Sequence, residues 1–294
     1  FSDKVDLGSL GPLRENPAIA MRVMIPDLPE PPPKSLALHL RGTALDRYEG
    51  GAWSRSEDGR KPETNAGSIV LVDPPRVPPL DAPRMTIHLE SIEPPILFIT
   101  PDALGIQIET QNVVVNAQQQ YTLRGPEGEF RYHSEERGVR YHVLRARNGR
   151  AAFSRIDDRD RYLQLPARFP DRVVELARSW TEGAETDEEK ARIIERRLRE
   201  DYTYDLNSPS GRAKEPVDDF LFESRRGHCE FFATSMALMT RAVGIPSRHV
   251  VGFGAGEYNE YGKFYVVRQS DAHSWVEVYL DGKGWVTFDP TPAT

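Results

Sequence analysis

Gly227-His228-Cys229-Glu230-Phe231-Phe232-Ala233 opens a stretch that runs on to Pro246, and its reading decides what kind of chain this is. Phe232, Ala233, Met236, Ala237 and Thr240 fall at i, i+1, i+4, i+5 and i+8, the spacing of one buried helical stripe. Gly244 and Pro246 end that pattern. The spacing predicts a helix beginning at or near Cys229. Gly227 supplies the backbone freedom for a tight entry into it. An arbitrary lone cysteine is most simply a small buried hydrophobe. At a helix N-terminus, however, unpaired N–H groups and the macrodipole favour thiolate over thiol. Arg225 and Arg226 are expected to push the same way.

Downstream, four strand candidates follow: Arg248–Phe253, Lys263–Arg268, His273–Leu280 and Trp285–Asp289. Their connections are short and rich in Gly, Asn and Asp, which reads as an antiparallel meander. His273 begins the third of these strands and Asp289 ends the fourth. A nucleophilic Cys needs a base, and an acid can hold that base's second nitrogen. Cys229, His273 and Asp289 are thus the parts of a Cys-His-Asp triad, subject to one geometric condition. Side chains alternate faces along a strand, so the hairpin at Asp281-Gly282-Lys283-Gly284 must pair residues whose numbers have an even sum. A two-residue loop gives 281 + 284 = 565 and puts Asp289 on the wrong face. A three-residue loop gives 280 + 284 = 564 and puts it diagonally beside His273.

Upstream of the nucleophile, Asp171 is expected to cap a helix carrying Val173, Leu176, Ala177 and Trp180, and Gly183 to stop it. Thr186 with Glu189 makes a capping box ahead of Ala191, Ile194 and Leu198. A loop with Tyr202, Tyr204, Pro209 and Gly211 follows, then the short apolar piece Val217–Phe222. The first half is different. Proline clusters at Pro29–Pro33, Pro74–Pro83 and Pro94–Pro95 separate short strand-like segments at Leu36–Leu40, Ser68–Val72, Met85–Leu89, Ile96–Ile99, Asn112–Val115 and Arg140–Leu144. Many short strands with Pro and Gly turns read as a β-sandwich or barrel. The fold class is therefore α+β, with a β-rich N-terminal domain over 1–155 and a helix-and-sheet domain over 156–294.

Of 294 residues, 38 are Lys or Arg and 45 are Asp or Glu, a formal charge of −7. That balance argues against a protein built to coat nucleic acid or an anionic membrane. No apolar run approaches the roughly 20 residues a spanning helix needs. The chain starts at Phe1 without an initiator Met, a basic n-region or an apolar h-region, and is expected to be a fragment or a processed chain. A single cysteine excludes an internal disulfide and a Cys-based zinc cluster, and suits an oxidising compartment.

The run from Gly227 to Ala233 resembles the nucleophile motif of the transglutaminase-like superfamily. Arg241–Gly252 is similar to the helix end and first strand of that core, Ala272–Val278 to its histidine motif, and Trp285–Thr291 to its aspartate motif. Upstream, Leu40-Arg41-Gly42 with Tyr48, Gly50 and Trp53, and Tyr162-Leu163-Gln164-Leu165-Pro166, resemble the domain preceding this core in bacterial membrane-anchored proteins of the TgpA kind. The resemblance implies a papain-like core with Cys229 as nucleophile, His273 as base and then acid, and Asp289 as orienter. It implies acyl transfer from a glutamine-like carboxamide of a protein or peptide, through a thioester, to an amine or water. It also implies a periplasmic domain tethered by flanking inner-membrane helices. No cofactor, no metal, no nucleic acid and no direct membrane contact are expected.

Other residues read more plainly. His228 and Glu230 flank the nucleophile but point in different directions, a poor metal site. His39, His88, His133, His142 and His249 are read as structural. Glu185 and Asp187–Glu189 suit a helix start. Gly252, Gly254 and Gly256 do not lead into a helix, so a mobile loop over Gly254–Gly262 is expected beside His273, with Glu257, Tyr258 and Tyr261 near substrate. Tyr202, Tyr204 and Trp275 are candidate oxyanion donors, read first as packing aromatics. Two other functions fit the same residues: a cysteine peptidase or amidase, and a non-enzymatic peptide-binding module.

Overall fold

The computed structural model describes residues 4–7, 15–26, 28–56, 59, 61–62, 69–92, 96–109, 121–133, 138–147, 149, 151–208 and 213–292. The strand reading of Asn112–Val115 lies outside them, as do Pro94–Pro95, Pro209, Gly211 and the side chain of His133. Ten strands make the main sheet: β1 Ile19–Met24, β2 Ser35–Leu45, β3 Ile69–Leu71, β4 Arg84–Leu89, β5 Ala103–Ile108, β6 Val139–Arg145, β7 Ser247–Asn259, β8 Phe264–Arg268, β9 Ala272–Leu280 and β10 Gly284–Phe288. The order is β10-β9-β7-β8-β1-β4-β6-β5-β3, and β2 pairs with the other edge of β7. All these pairs are antiparallel. Helices α1 Asp171–Trp180, α2 Asp187–Asp201 and α3 Cys229–Ala242 complete an α+β fold with a β-rich N-terminal region and a curled antiparallel sheet.

The helices follow their local sequence. Thr186 Oγ1 accepts from Glu189 N at 3.2 Å and Glu189 Oε2 from Thr186 N at 3.1 Å, closing the capping box of α2. Ala191, Ile194 and Leu198 are buried on its inner face. Asp171 is not a cap. Pro170 holds the cap position in extended backbone, and Asp171 is the first helical residue. Val217–Phe222 is a short helical turn, Pro216–Asp219, passing into a π-helical segment, Phe220–Ser224.

The division expected at 155/156 does not divide the sheet. β1 to β6 precede it and β7 to β10 follow it, yet β2 pairs with β7 and β1 with β8. One hydrophobic core holds Met21 and Tyr141 together with Phe232, Met236 and Val276. Where the halves meet, an ion-pair network is buried. Arg41 Nε donates to Glu277 Oε1 at 3.0 Å and Arg248 Nε to Glu277 Oε2 at 2.6 Å. Arg248 Nη1 reaches Glu127 Oε2 at 3.1 Å, and Arg161 ties Glu127 to Asp46. Burial alone would raise the Glu277 carboxyl, but Arg248 and Arg41 outweigh it and hold it below its ordinary value. Such charges are tolerated inside only when paired and hydrogen-bonded.

β7 extends well past Phe253, so Gly252, Gly254 and Gly256 are strand residues and not a mobile loop. They are glycine for want of space. A Cβ on Gly252 would lie 2.0 Å from the Leu40 carbonyl oxygen, and one on Gly254 would lie 3.0 Å from the His273 ring. β2 also carries two register shifts against β7, one at Gly42 and one between Leu40 and Ala37. Bulges of this kind re-aim side chains. His39 sits in the second, with φ +44°.

Candidate active site

Cys229 is the first residue of α3, entered from His228 in extended backbone, and it is fully buried. Its position exposes it to the positive end of the helix. Arg225 and Arg226 are engaged elsewhere. Arg225 donates to the Asp201 carbonyl at 3.0 Å and lies over the Tyr202 ring, and Arg226 pairs with Asp205 at 2.7 Å.

The hairpin between β9 and β10 has the three-residue loop. Leu280 pairs with Gly284 and Val276 with Phe288, both with sum 564. Gly282 and Gly284 take φ of +76° and +84°, the left-handed conformations such a loop requires. Asp289, one residue beyond β10, therefore lies on the face of His273. The gap closes to a hydrogen bond, His273 Nε2 to Asp289 Oδ2 at 2.8 Å. The same imidazole hydrogen-bonds Cys229. With Nε2 given to Asp289, Nδ1 is the nitrogen left for sulfur. Asp289 is itself fixed: its N–H donates to Glu195 Oε1 of α2 at 2.9 Å, and its Oδ1 accepts from Thr291 N at 3.1 Å.

These contacts set the charges. Burial alone would lower the His273 pKa, but the bonds to Asp289 and Cys229 outweigh it and raise it to about 10. Burial would raise Asp289, yet hydrogen bonds from His273 and His39 hold it well below the usual carboxylate range. His39 is the residue that sequence reasoning missed. It was expected to be structural, but its Nε2 lies 2.9 Å from Asp289 Oδ2. Its ring stands edge-on to Trp275, centroids 5.3 Å apart, and Trp275 also stacks on His273 at 6.1 Å. The left-handed backbone at His39 is the one local sign, and it is invisible before the β2–β7 pairing is known.

His39, His273 and Asp289 bring three donor atoms within 4.8 Å of one another, the spacing of a possible metal site. Oδ2 sits at hydrogen-bond distance from both nitrogens, so the trio is accounted for by two N–H donors on one carboxylate. Among the other histidines, His142 bonds Thr86 Oγ1 at 2.9 Å and Glu109 at 2.7 Å. His249 is fully buried, stacks on Trp53, and is pushed down to about 3 by burial and by Arg241 and His273. It stays neutral.

A cleft of about 630 Å³ opens beside the His273–Asp289 pair, lined by His39, Arg199, Tyr204 and Gly254 among others. Tyr204 faces it. Tyr202 spends its hydroxyl on the Leu221 carbonyl at 3.0 Å, and Trp275 is fully buried beneath the imidazoles. Glu257, Tyr258 and Tyr261 do not line this cleft. Tyr258 packs on Tyr265, and Tyr261 is fully exposed on the turn after β7.

A cysteine at the start of a helix, with His and Asp on adjacent strands, is the arrangement of papain-like acyl-transfer cores. Residues 1–148, half of the chain, match the TgpA N-terminal domain, and the chain belongs to that family; residues 174–290 match the transglutaminase-like superfamily. The crystal structure of the periplasmic domain of TgpA from Pseudomonas aeruginosa superposes with TM-score 0.77 at 26% identity, over 99% of this chain and 93% of that one. The same domain bound to ethylmercury superposes with TM-score 0.72 at 25% identity, over 99% of this chain and 95% of that one. A protein-glutamine gamma-glutamyltransferase of Pseudomonas aeruginosa is 40% identical over 141 residues, covering 47% of this chain and 21% of the relative. The uncharacterized protein YebA of Bacillus subtilis is 40% identical over 139 residues, covering 45% of this chain and 19% of the relative. The matched region is thus about a fifth of the curated relatives' length. Among the described residues no helix is long and apolar enough to cross a membrane.

Proposed function

We propose that this chain is a thiol-dependent acyltransferase of the transglutaminase type, with Cys229 as nucleophile, His273 as acid and base, and Asp289 as orienter. The observation that carries the reading is the His273 imidazole held between Cys229 and the Asp289 carboxylate. The thiolate of Cys229 attacks the carbon of a glutamine-like carboxamide in a protein or peptide. The new C–S bond pushes the carbonyl electrons onto oxygen, where the backbone N–H of Cys229 is a natural donor. His273 Nδ1 then delivers its proton to the departing nitrogen, the C–N bond breaks, and ammonia leaves a thioester. An amine enters, its proton passes to His273, and collapse expels the thiolate with the acyl group now on the amine. Asp289 stabilises the imidazolium throughout. Water in place of the amine gives hydrolysis on the same core. The glutamyltransferase relative and the TgpA match support this reading and a place on the periplasmic side of a bacterial inner membrane, tethered by flanking helices.

The deciding experiment incubates the protein with a glutamine-containing protein and a labelled primary amine, beside Cys229→Ala. Label incorporated by wild type and absent with Cys229→Ala supports transfer. Ammonia or peptide release without incorporation moves the protein to the amidase or peptidase class. No thiol-dependent reaction at all overturns the enzyme reading.

A further inference from the structure

We infer that His39 is a positioning residue of the site, a second imidazole whose Nε2–H holds the Asp289 carboxylate in line for His273. The inference rests on the reading of Cys229, His273 and Asp289 as the reacting group. Asp289 Oδ2 takes two donors, His273 at 2.8 Å and His39 at 2.9 Å, while Oδ1 takes Thr291 N at 3.1 Å. A carboxylate on a residue just past a strand end can take any of several staggered χ1 rotamers and a broad range of χ2. Here each oxygen is tied. Without His39, Oδ2 is held by His273 alone, and each side chain must then orient the other.

The placement of His39 is costly, which is why it is informative. Its backbone lies at φ +44° in a bulge of β2, a conformation disfavoured for a non-glycine residue. Opposite the bulge is Gly254, whose missing Cβ leaves room for the His273 ring. Trp275 supports both imidazoles, edge-on to one and stacked on the other. Bulge, glycine and indole therefore converge on one arrangement in which two histidines, 234 positions apart (273 − 39), point at one carboxylate oxygen. His39 belongs to the half of the chain before the nucleophile motif, so the catalytic arrangement is completed from the N-terminal half.

The charged and titratable surroundings are few. Facing His39 are Asp289 and His273, with Arg199, Tyr204 and Asp271 around the cleft. Facing His273 are Cys229, Asp289, His39 and the buried, neutral His249. Loss of His39 leaves the Asp289 carboxylate held only by Thr291 N and by His273 itself, weakens its support of the His273 imidazolium, and so raises the pH at which Cys229 ionises.

The test is iodoacetamide alkylation of Cys229 across pH 5 to 10, which needs no substrate. Wild type is compared with His39→Phe, which keeps a ring without a donor, and His39→Gln, whose amide can donate from the Nε2 position. Loss of one hydrogen bond to a charged group predicts a fall of about 10- to 100-fold in alkylation at pH 6.5 for His39→Phe. The inflection of the profile should move up toward that of a free thiol. His39→Gln should recover most of the rate. A His39→Phe profile that coincides with wild type, while His273→Ala differs from both, overturns the inference and leaves the triad standing. A wild-type profile that is an ordinary thiol titration unchanged by His273→Ala overturns the nucleophile reading, and with it any positioning by His39. Where His39→Phe does not fold, ¹⁵N-histidine spectra of wild type decide: a protonated Nε2 on His39 supports the bond, and the Nδ1–H tautomer overturns it.

Discussion

His273 Nε2 and Asp289 Oδ2 lie 2.8 Å apart because Leu280 pairs with Gly284 and not with Lys283. A shift of one residue in that pairing would carry Asp289 to the opposite face of the sheet. The loop Asp281–Lys283 thus sets the His273–Asp289 contact although it does not line the cleft. The charge state follows from the contact, and stability should report it.

The His273 imidazole is raised to about 10 in the fold, against an unfolded value of about 6.5. A raised folded-state value stabilises fully below the unfolded pKa and loses that stabilisation as pH climbs through the folded one. The difference in melting temperature between wild type and His273→Gln should therefore shrink as pH climbs from about 8.5, above which the unfolded thiol is ionised too, to pH 10.5. Asp289, held low, works in the other direction: its contribution is present above its unfolded pKa of about 3.9 and fades as pH falls below that. A wild-type advantage that grows from about pH 8.5 to 10.5 would contradict the ion-pair assignment.

Gly252 and Gly254 are two positions apart on β7 and should fail in different ways. Alanine at Gly252 drives a Cβ to 2.0 Å from the Leu40 carbonyl, backbone that must move, so β2 separates from β7 and the melting temperature drops. Alanine at Gly254 meets the His273 ring at 3.0 Å, and the ring must shift. The ring gives by a few tenths of an ångström, so alkylation of Cys229 should fall by less than the roughly 100-fold that a misplacement of about 1 Å costs. Thermal melts together with alkylation rates separate the two effects, and equal losses of stability in both variants would refute the assignment.

Glu277 accepts from both Arg41 and Arg248 in the buried network. Removing one partner of a buried ion pair costs about 3–5 kcal/mol, because the charge left behind has no water. For Glu277→Leu that corresponds to a melting temperature lower by about 6–20 °C. Differential scanning calorimetry measures it; a change under about 2 °C would mean the arginines find other partners.

A fragment spanning 156–294 keeps Cys229, His273 and Asp289 but loses β2 from the edge of β7, β1 from β8, and Arg41 from Glu277. It should not fold alone. Circular dichroism and amide dispersion by NMR give the answer, and a cooperative melt of the fragment would show that the halves are separable after all.

What the sequence determined by itself was local. The stripe from Phe232 to Thr240, the Thr186–Glu189 capping box and the left-handed glycines of the Asp281–Gly284 turn are set by neighbours within one turn of chain, where propensity and periodicity act. From these, α3 beginning at Cys229 was legible, and so was the parity condition on the hairpin; the pairing of Leu280 with Gly284 that meets it came from the structure. The long-range contacts were set only when the chain folded. His39 meets Asp289 from 250 positions away, and Arg41 meets Glu277 from 236. No local pattern marks a histidine or an arginine as inward-facing; such residues default to the surface or to packing until a partner is found. Gly252, Gly254 and Gly256 read as a loop for the same reason. Their missing side chains make room for Leu40, His273 and Tyr265, and that crowding exists only once β2, β8 and β9 have assembled around β7.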